Sequence, residues 1–406
     1  MERIVVVGAN LAGGRAVETL RGEGFDGQIV LIGEERDRPY ERPPLSKEYL
    51  AGTKEHSKLF LRPAHYYEDE RIELLLGQRA TRLDAASKTV HLANGHTVSY
   101  DKLLIAAGAT PRRLRVPGAE LTNVFVLRTL PDADAIRAAL QRGARVVVVG
   151  AGFIGMEVAA TCRQLGAEVT VVEPLSAPLE AVLPRQIGEQ LAAIHRAHGV
   201  EFRFGEKVVG FRGHARVEQA LTDSGAAITC DLAIVGIGVV PEDGWLDGAG
   251  IARQNGVLVD DLCRTSMPDV WAAGDVANWW HPELRRRLRV EHYENAQQQA
   301  VHAAKAMLGN GTPYAPLLYF WSDQYDRNLQ VVGYPEPGDQ LVWRGRPPHE
   351  PWAVFFLREE RLVAALTVNM VREQVAARQI IRKGGAVDPA ALADLDTDLR
   401  ALARAL

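Results

Sequence analysis

The 406 residues carry 47 Lys+Arg against 51 Asp+Glu, a net charge of −4, with 47% apolar and 24% charged residues. That balance belongs to an ordinary globular chain of two or three domains, at roughly 150 residues each. It excludes a disordered chain, a collagen-like fibre and a nucleic-acid binder driven by bulk positive charge. Cys162, Cys230 and Cys263 are too few for a disulfide scaffold and form no Cys-x-x-Cys pair, which excludes a redox dithiol.

In chain order, a β-branched run at 4–7 leads into a glycine-rich turn, Gly8-x-Asn10-x-x-Gly13, and a helical pattern. A strand so near the start leaves no room for a signal peptide, and no apolar run reaches the ~18 residues of a membrane helix. These features and the cysteine usage predict a reducing, cytoplasmic compartment. An apolar strand at 28–32 follows, with Glu34 just beyond it, and 100–111 reads as strand, then Ala-Gly-Ala-Thr-Pro. The pattern then repeats: a strand at 146–149, Gly150-x-Gly152-x-x-Gly155, a helix, a strand ending in Glu173, and a stretch at 230–241 that reads as strand, then Gly236-Ile237-Gly238-Val239-Val240-Pro241. Repetition on this scale is a domain duplication, and alternating strands and helices predict parallel βαβ units. From about Tyr319 the texture changes to short strands, including 329–332 and 353–356, then a helix at 371–382 broken by Gly384-Gly385. This tail reads as a smaller α+β domain.

A glycine-rich turn at a helix N-terminus binds pyrophosphate because unpaired N–H groups and the helix dipole both face the anion. The second turn meets every contextual test for a dinucleotide fingerprint, with Glu173 about 20 residues on. An acid there accepts from ribose hydroxyls and repels a 2′-phosphate, so NADH is expected over NADPH. The first turn departs from the pattern at Asn10, whose side chain must be accommodated beside the phosphate.

The order of the two turns, the Ala107-Gly108-Ala109-Thr110-Pro111 stretch and Ala272-Ala273-Gly274-Asp275 resembles flavoprotein reductases with two dinucleotide-binding domains. Within them, residues 38–47 (Arg-Pro-Tyr-Glu-Arg-Pro-Pro-Leu-Ser-Lys) and 319–324 (Tyr-Phe-Trp-Ser-Asp-Gln) are similar to signatures of the NADH-dependent ferredoxin reductases that serve oxygenases. Leu318 departs from the proline common there. The resemblance implies an α/β fold of two Rossmann-like, glutathione-reductase-like domains plus a small C-terminal α+β domain. Its expected boundaries are 1–112 with 245–318 for FAD, 113–244 for NAD, and 319–406 for the tail. It implies an FAD site of Gly8, Asn10, Gly13, Glu34, Arg42, Lys47, Ala107, Gly108, Arg128, Gly274, Asp275, Glu291 and Trp321, with Asp275 on the ribityl chain. The NADH site is expected at Gly150, Gly152, Phe153, Ile154, Gly155, Glu157, Glu173, Gly236, Ile237 and Gly238. Lys47, Glu157 and Trp321 are the expected catalytic residues: Lys47 near flavin N5, Glu157 orienting it and the nicotinamide carboxamide, Trp321 by the isoalloxazine. Phe153 is expected to cover the flavin until nicotinamide displaces it. No metal is expected, because no His/Cys/Glu cluster has ligand spacing.

Disulfide reductases and cysteine-dependent peroxidases of this fold need a thiol against the flavin. Here the stretch reads Pro44-Leu45-Ser46-Lys47, and serine cannot cycle through disulfide or sulfenic states. The expected reaction is hydride transfer from NADH to FAD, then single electrons to a small acidic two-iron, two-sulfur ferredoxin supplying an oxygenase. Arg285, Arg286 and Arg287, beside Trp279-Trp280-His281, are the expected docking patch, and Arg112, Arg113 and Arg115 form a second basic cluster. Two rivals keep the fold: an NADH oxidase or quinone reductase, and a flavin-bound signalling protein resembling apoptosis-inducing factor.

Overall fold

The computed structural model describes residues 1–406. Two compact units emerge: residues 1–42, 55–110 and 239–316, and residues 43–54, 111–238 and 317–406.

In the first unit five parallel strands run in the order Val270–Ala272, Lys102–Ile105, Arg3–Val7, Gln28–Ile32 and Ile72–Leu75. The central strand is buried over its last four residues, as a strand covered on both faces must be. Helix Leu11–Gly22 packs on helix Tyr293–Met307 through Ala12, Ala16, Ala300 and Ala303. Small side chains at the contact allow a close approach.

The second unit repeats this sheet: Val200–Phe204, Glu168–Glu173, Arg145–Val149, Leu232–Val235 and Val124–Val126, again all parallel. Each unit also holds a three-stranded antiparallel meander, Ala80–Asp84 to Thr97–Ser99 in the first and Val208–Arg212 to Ala227–Thr229 in the second. The fifth strand breaks the repeat. It comes from late in the chain in the first unit and from ahead of the repeat in the second.

The tail is a five-stranded antiparallel sheet in the order Tyr319–Gln324, Arg327–Gly333, Arg361–Val368, Trp352–Arg358, Gln340–Gly345. One face packs on helices of the tail through Phe355, Ala376, Ala377 and Ile380. The other packs on helix Arg185–Ala197 through Ile187, Leu191 and Ile194. Both faces are covered, so six successive residues of Trp352–Arg358 are buried. This second face is why the tail and the second nucleotide-type sheet fall in one unit. Gly384, at φ 66°, ends helix Val371–Lys383.

Residues 43–54 lie, by sequence, inside the range expected for the first domain, yet they belong to the second unit. Leu50 is part of that unit's core. Tyr49 donates to Asp134 Oδ1 at 2.7 Å, and Thr161 Oγ1 donates to the Ser46 carbonyl at 2.8 Å. No helix is long and apolar enough to cross a membrane. Phe355→Ala, at a fully buried position, should cost about 3–5 kcal/mol in denaturant unfolding of the second unit. A loss under ~1 kcal/mol would contradict a sheet clamped on both faces.

Candidate functional site

The two glycine-rich turns share one interlock. A Cβ at Gly13 would sit 1.9 Å from the Gly8 carbonyl oxygen, and one at Gly155 would sit 2.1 Å from that of Gly150. Gly8 and Gly150 themselves take φ of +117° and +98°, pressed on the carbonyls of Ala106 and Gly236. The middle positions differ. A Cβ at Gly152 would meet nothing within 4 Å, whereas the first turn carries the Asn10 side chain. Both helices that follow start without a side-chain cap and without an acid in the first turn. Their first N–H groups therefore have no intrahelical partner and face an anion-favouring dipole. Two pyrophosphates fit these two turns.

Asn10 stands at the N-cap, where asparagine ordinarily caps. Instead its amide oxygen accepts from Arg42 Nη2. Arg42 also donates to Glu35 Oε1 at 2.5 Å and to the Tyr40 hydroxyl at 3.0 Å. Burial works against the guanidinium's charge, but Tyr40, Glu35 and Asp275 outweigh it and raise its pKa. A fixed cation thus stands beside the first turn. Glu34 is largely exposed, 3.9 Å from Arg79. Gly108, at φ 74°, accepts from Glu242 N, next to Ala107. Gly274 donates its N–H to Gln299 Oε1 at 2.8 Å. Arg289 links the next residue to Glu291: it donates to the Asp275 carbonyl at 3.2 Å and pairs with Glu291 at 2.7 Å.

In the second unit the Glu173 carboxylate accepts from Ala151 N at 2.7 Å and Leu175 N at 3.0 Å. It braces the turn from below as well as placing an acid at the strand end. Ile154 is 46% exposed. Phe153 meets Phe320 edge-on, ring centroids 4.7 Å apart, so it packs against the tail sheet. Gly236 donates to the Val149 carbonyl, Ile237 lies against Gly150, and the Gly238 carbonyl accepts from Arg112 N. Arg128 directly precedes the capping box of Thr129 and Asp132.

Two residues beyond Gly155 sits Glu157, 3% exposed. Lys47 Nζ lies 3.1 Å from its Oε2, Ser46 Oγ donates to Oε2 at 2.5 Å, and Ser322 Oγ donates to Oε1 at 2.7 Å. Burial pushes the carboxyl above its ordinary range, while the lysine and the two hydroxyls oppose that rise. Trp321 is half-buried, its ring inclined 22° to that of Tyr319. All three cysteines are buried. Desolvation pushes Cys162 and Cys230 up to about 12 and Cys263 higher still, so none is a thiolate.

The hairpin of Ala277–His281 and Arg286–Leu288 corrects the expected aromatic patch. Trp279 and His281 are buried and Trp280 is 42% exposed, because strand side chains alternate. Arg285, Arg286 and Arg287 are all exposed, and Arg287 also donates to the Val259 and Asn278 carbonyls and staples the hairpin. Sequence reasoning read Ser46 only as the lack of a thiol, gave Ser322 no role within the 319–324 signature, and did not single out Glu35 or Gln299. Ser46 and Ser322 lay within motifs already recognised; Arg289 lay beside Glu291, and only folding reveals its partners.

Two uncapped nucleotide turns on duplicated parallel sheets, with a buried Lys–Glu pair, define a pyridine nucleotide-linked flavoprotein. Residues 2–300 match the family described as pyridine nucleotide-disulphide oxidoreductase and residues 319–403 the reductase C-terminal domain. The chain belongs to this family. It is 41% identical to the 5,5′-dehydrodivanillate O-demethylase ferredoxin reductase subunit of Sphingobium sp., covering 99% of this chain and 98% of that one. It is 39% identical to the anthranilate 1,2-dioxygenase system ferredoxin–NAD(+) reductase component of Burkholderia cepacia, covering 98% of each. Among solved structures, the covalent putidaredoxin reductase–putidaredoxin complex aligns with a TM-score of 0.96 at 35% identity, covering 100% of this chain and 99% of that one. FAD and NAD(H) are the cofactors of this family, and both turns fit them.

Gly13→Ala and Gly155→Ala separate the two turns. The first should purify with depleted FAD; the second should keep FAD, read by absorbance, yet lose NADH-driven bleaching. Loss of FAD from Gly155→Ala alone would reverse the assignment. Glu173 predicts a kcat/KM for NADH at least about tenfold above that for NADPH, since juxtaposed like charges cost more than ~1.4 kcal/mol. Equal values would overturn it.

Proposed function

We propose that the chain is the FAD-dependent NADH:ferredoxin reductase of an oxygenase system, passing electrons to a small acidic two-iron, two-sulfur ferredoxin. The observation that carries this reading is the absence of a usable thiol within an otherwise complete two-nucleotide fold. Ser46 stands in the active segment and every cysteine is buried and protonated. Reducing equivalents therefore leave without a dithiol relay, as the acceptor of a ferredoxin reductase requires. Relatives that match end to end carry ferredoxin reductase names, and unpaired thiols suit a reducing compartment such as the cytoplasm.

When bound, FAD supplies hydride acceptance from NADH and the release of electrons one at a time. The chain's own residues do the rest. Gly8, Gly13 and the N–H groups of helix Leu11–Gly22 receive the FAD pyrophosphate, with Arg42 held beside them by Asn10, Glu35 and Tyr40. Asp275 takes the ribityl chain. The turn from Gly150 to Gly155 receives the NADH pyrophosphate, and Glu173 the ribose. Lys47 holds a positive charge for the flavin where negative charge develops. Glu157 orients Lys47 and accepts from the nicotinamide carboxamide, while Phe153 and Trp321 provide ring faces.

The acceptor docks at the hairpin of Arg285, Arg286 and exposed Trp280, a small basic-aromatic surface of the kind transient electron-transfer partners use. NADH-driven cytochrome c reduction should depend strongly on an added two-iron, two-sulfur ferredoxin. Fast NADH oxidation in air that two such ferredoxins fail to accelerate would favour an oxidase instead. Reversing Arg285 and Arg286 to Glu should lower ferredoxin-dependent turnover and leave flavin bleaching by NADH unchanged. Arg287 is spared because it staples the hairpin. Equal turnover in the variant would move the docking site elsewhere.

A further inference from the structure

Beyond Glu157 runs a file of buried polar side chains, all in the second unit: Ser322, Gln324 and His195, none more than 4% exposed. It ends on Tyr325, whose ring stacks on His198 at 3.7 Å. Groups this deep must pair, and their pairing determines every hydrogen. A carboxylate only accepts, so Ser322 donates its one hydrogen to Glu157 Oε1 at 2.7 Å. Ser322 Oγ then accepts from Gln324 Nε2 at 3.0 Å. That turns Gln324 Oε1 toward His195 Nε2, 2.8 Å away, so Nε2 carries the imidazole proton. Nδ1 is left to accept from the Tyr325 hydroxyl at 3.2 Å. Burial pushes His195 down to about 4, so it stays neutral and keeps one accepting nitrogen. Every bond points its hydrogen toward Glu157, and bonds in such a chain polarise one another. The amide in the middle does not pass a proton as a hydroxyl does, so the file orients groups and does not conduct protons.

We propose that Gln324 and His195 are positioning residues for the Lys47–Glu157 pair. The His195 tautomer pins the Gln324 amide, the amide holds Ser322 as a donor to Glu157, and Glu157 stays ionised with Lys47 in place. This rests on the reading of Lys47 and Glu157 as serving the flavin. The charged group facing Glu157 is Lys47, from residues 43–54. His198 faces His195, and Arg163 and Cys162, from Glu157's own helix, face Tyr325. Without His195 the Gln324 amide can turn over and take the Ser322 hydrogen on its own oxygen. Burial then favours the protonated carboxyl.

The test uses holoenzyme of H195F, Q324L, H195Q and E157Q, with two readouts: the pH dependence of flavin reduction by NADH in anaerobic stopped flow, and the flavin midpoint potential. A raised Glu157 pKa moves the acid limb of the profile upward, because the ionised form is then lost at higher pH. H195F and Q324L should shift that limb by about one pH unit, a tenfold slower reduction at its acid end. They should also raise the midpoint potential toward that of E157Q, since a negative charge is lost beside Lys47. H195Q, which keeps an N–H donor for Gln324, should stay near the parent in both. Parent-like limb and potential in H195F and Q324L, with E157Q altered, would overturn the proposal and leave the file a structural stitch, whatever the loss of thermal stability. Parent-like values in E157Q itself would overturn the reading of the pair, and the proposal with it.

Discussion

The third glycine of each turn lies on the carbonyl of the first, closer than any Cβ permits, and the rest of each nucleotide site depends on that contact. It sets the register in which helix Phe153–Gln164 leaves the sheet. It exposes the helix's first N–H groups, and it delivers Glu157, half a turn on, to one place. The same contact in the first unit delivers Arg15, which pairs with Glu18 at 2.8 Å. One backbone device therefore serves two purposes. It repeats because pyrophosphate recognition repeats. The side chain presented two residues beyond it differs, and in the second copy that side chain is a buried carboxylate.

A carboxylate so placed must be compensated, because desolvation of an ion costs several kcal/mol and one missing partner leaves that cost uncovered. Glu157 draws its partners from distant parts of the chain: Ser46 and Lys47 from residues 43–54, Ser322 from the first strand of the tail sheet. This explains the composition of the second unit. Residues 43–54 leave the surrounding sequence to join it, anchored by Leu50, Tyr49 and the Ser46 carbonyl. The tail sheet joins it through the apolar face shared with helix Arg185–Ala197. Apolar burial supplies the attachment; the polar contacts set its register.

Local features were legible in the sequence and remote pairings were not. The strands, the two turns and the helix break at Gly384 follow from β-branched runs, glycine spacing and turn chemistry acting within a few residues. The patch of Trp279, Trp280 and His281 expected from the sequence reduces to Trp280 in the fold, because the strand turns Trp279 and His281 inward. Lys47 and Glu157, separated by most of a domain, were nominated through family resemblance, and no periodicity connects them. Ser322 and Gln324 lie within the 319–324 signature, but nothing in the sequence pairs them with Glu157 or with His195 until the tail sheet meets helix Arg185–Ala197. The departure at Asn10 reads as a defect in a motif. In the fold its amide is drawn off the helix end by Arg42, leaving the N–H groups open while adding an oriented cation.

Ser46 joins these arguments. Its stretch is where thiol-dependent enzymes of this fold carry cysteine, and a thiol would be a weak donor to the carboxylate beside it. Ionised, it would set a second negative charge against Glu157, which burial already presses toward the neutral form. The hydroxyl instead donates at 2.5 Å and adds no charge. The stretch Pro44-Leu45-Ser46-Lys47 thus gives the Glu157 carboxyl a donor and a cation and offers no thiol, and an acceptor that takes electrons directly, such as a ferredoxin, is the chemical counterpart of that arrangement.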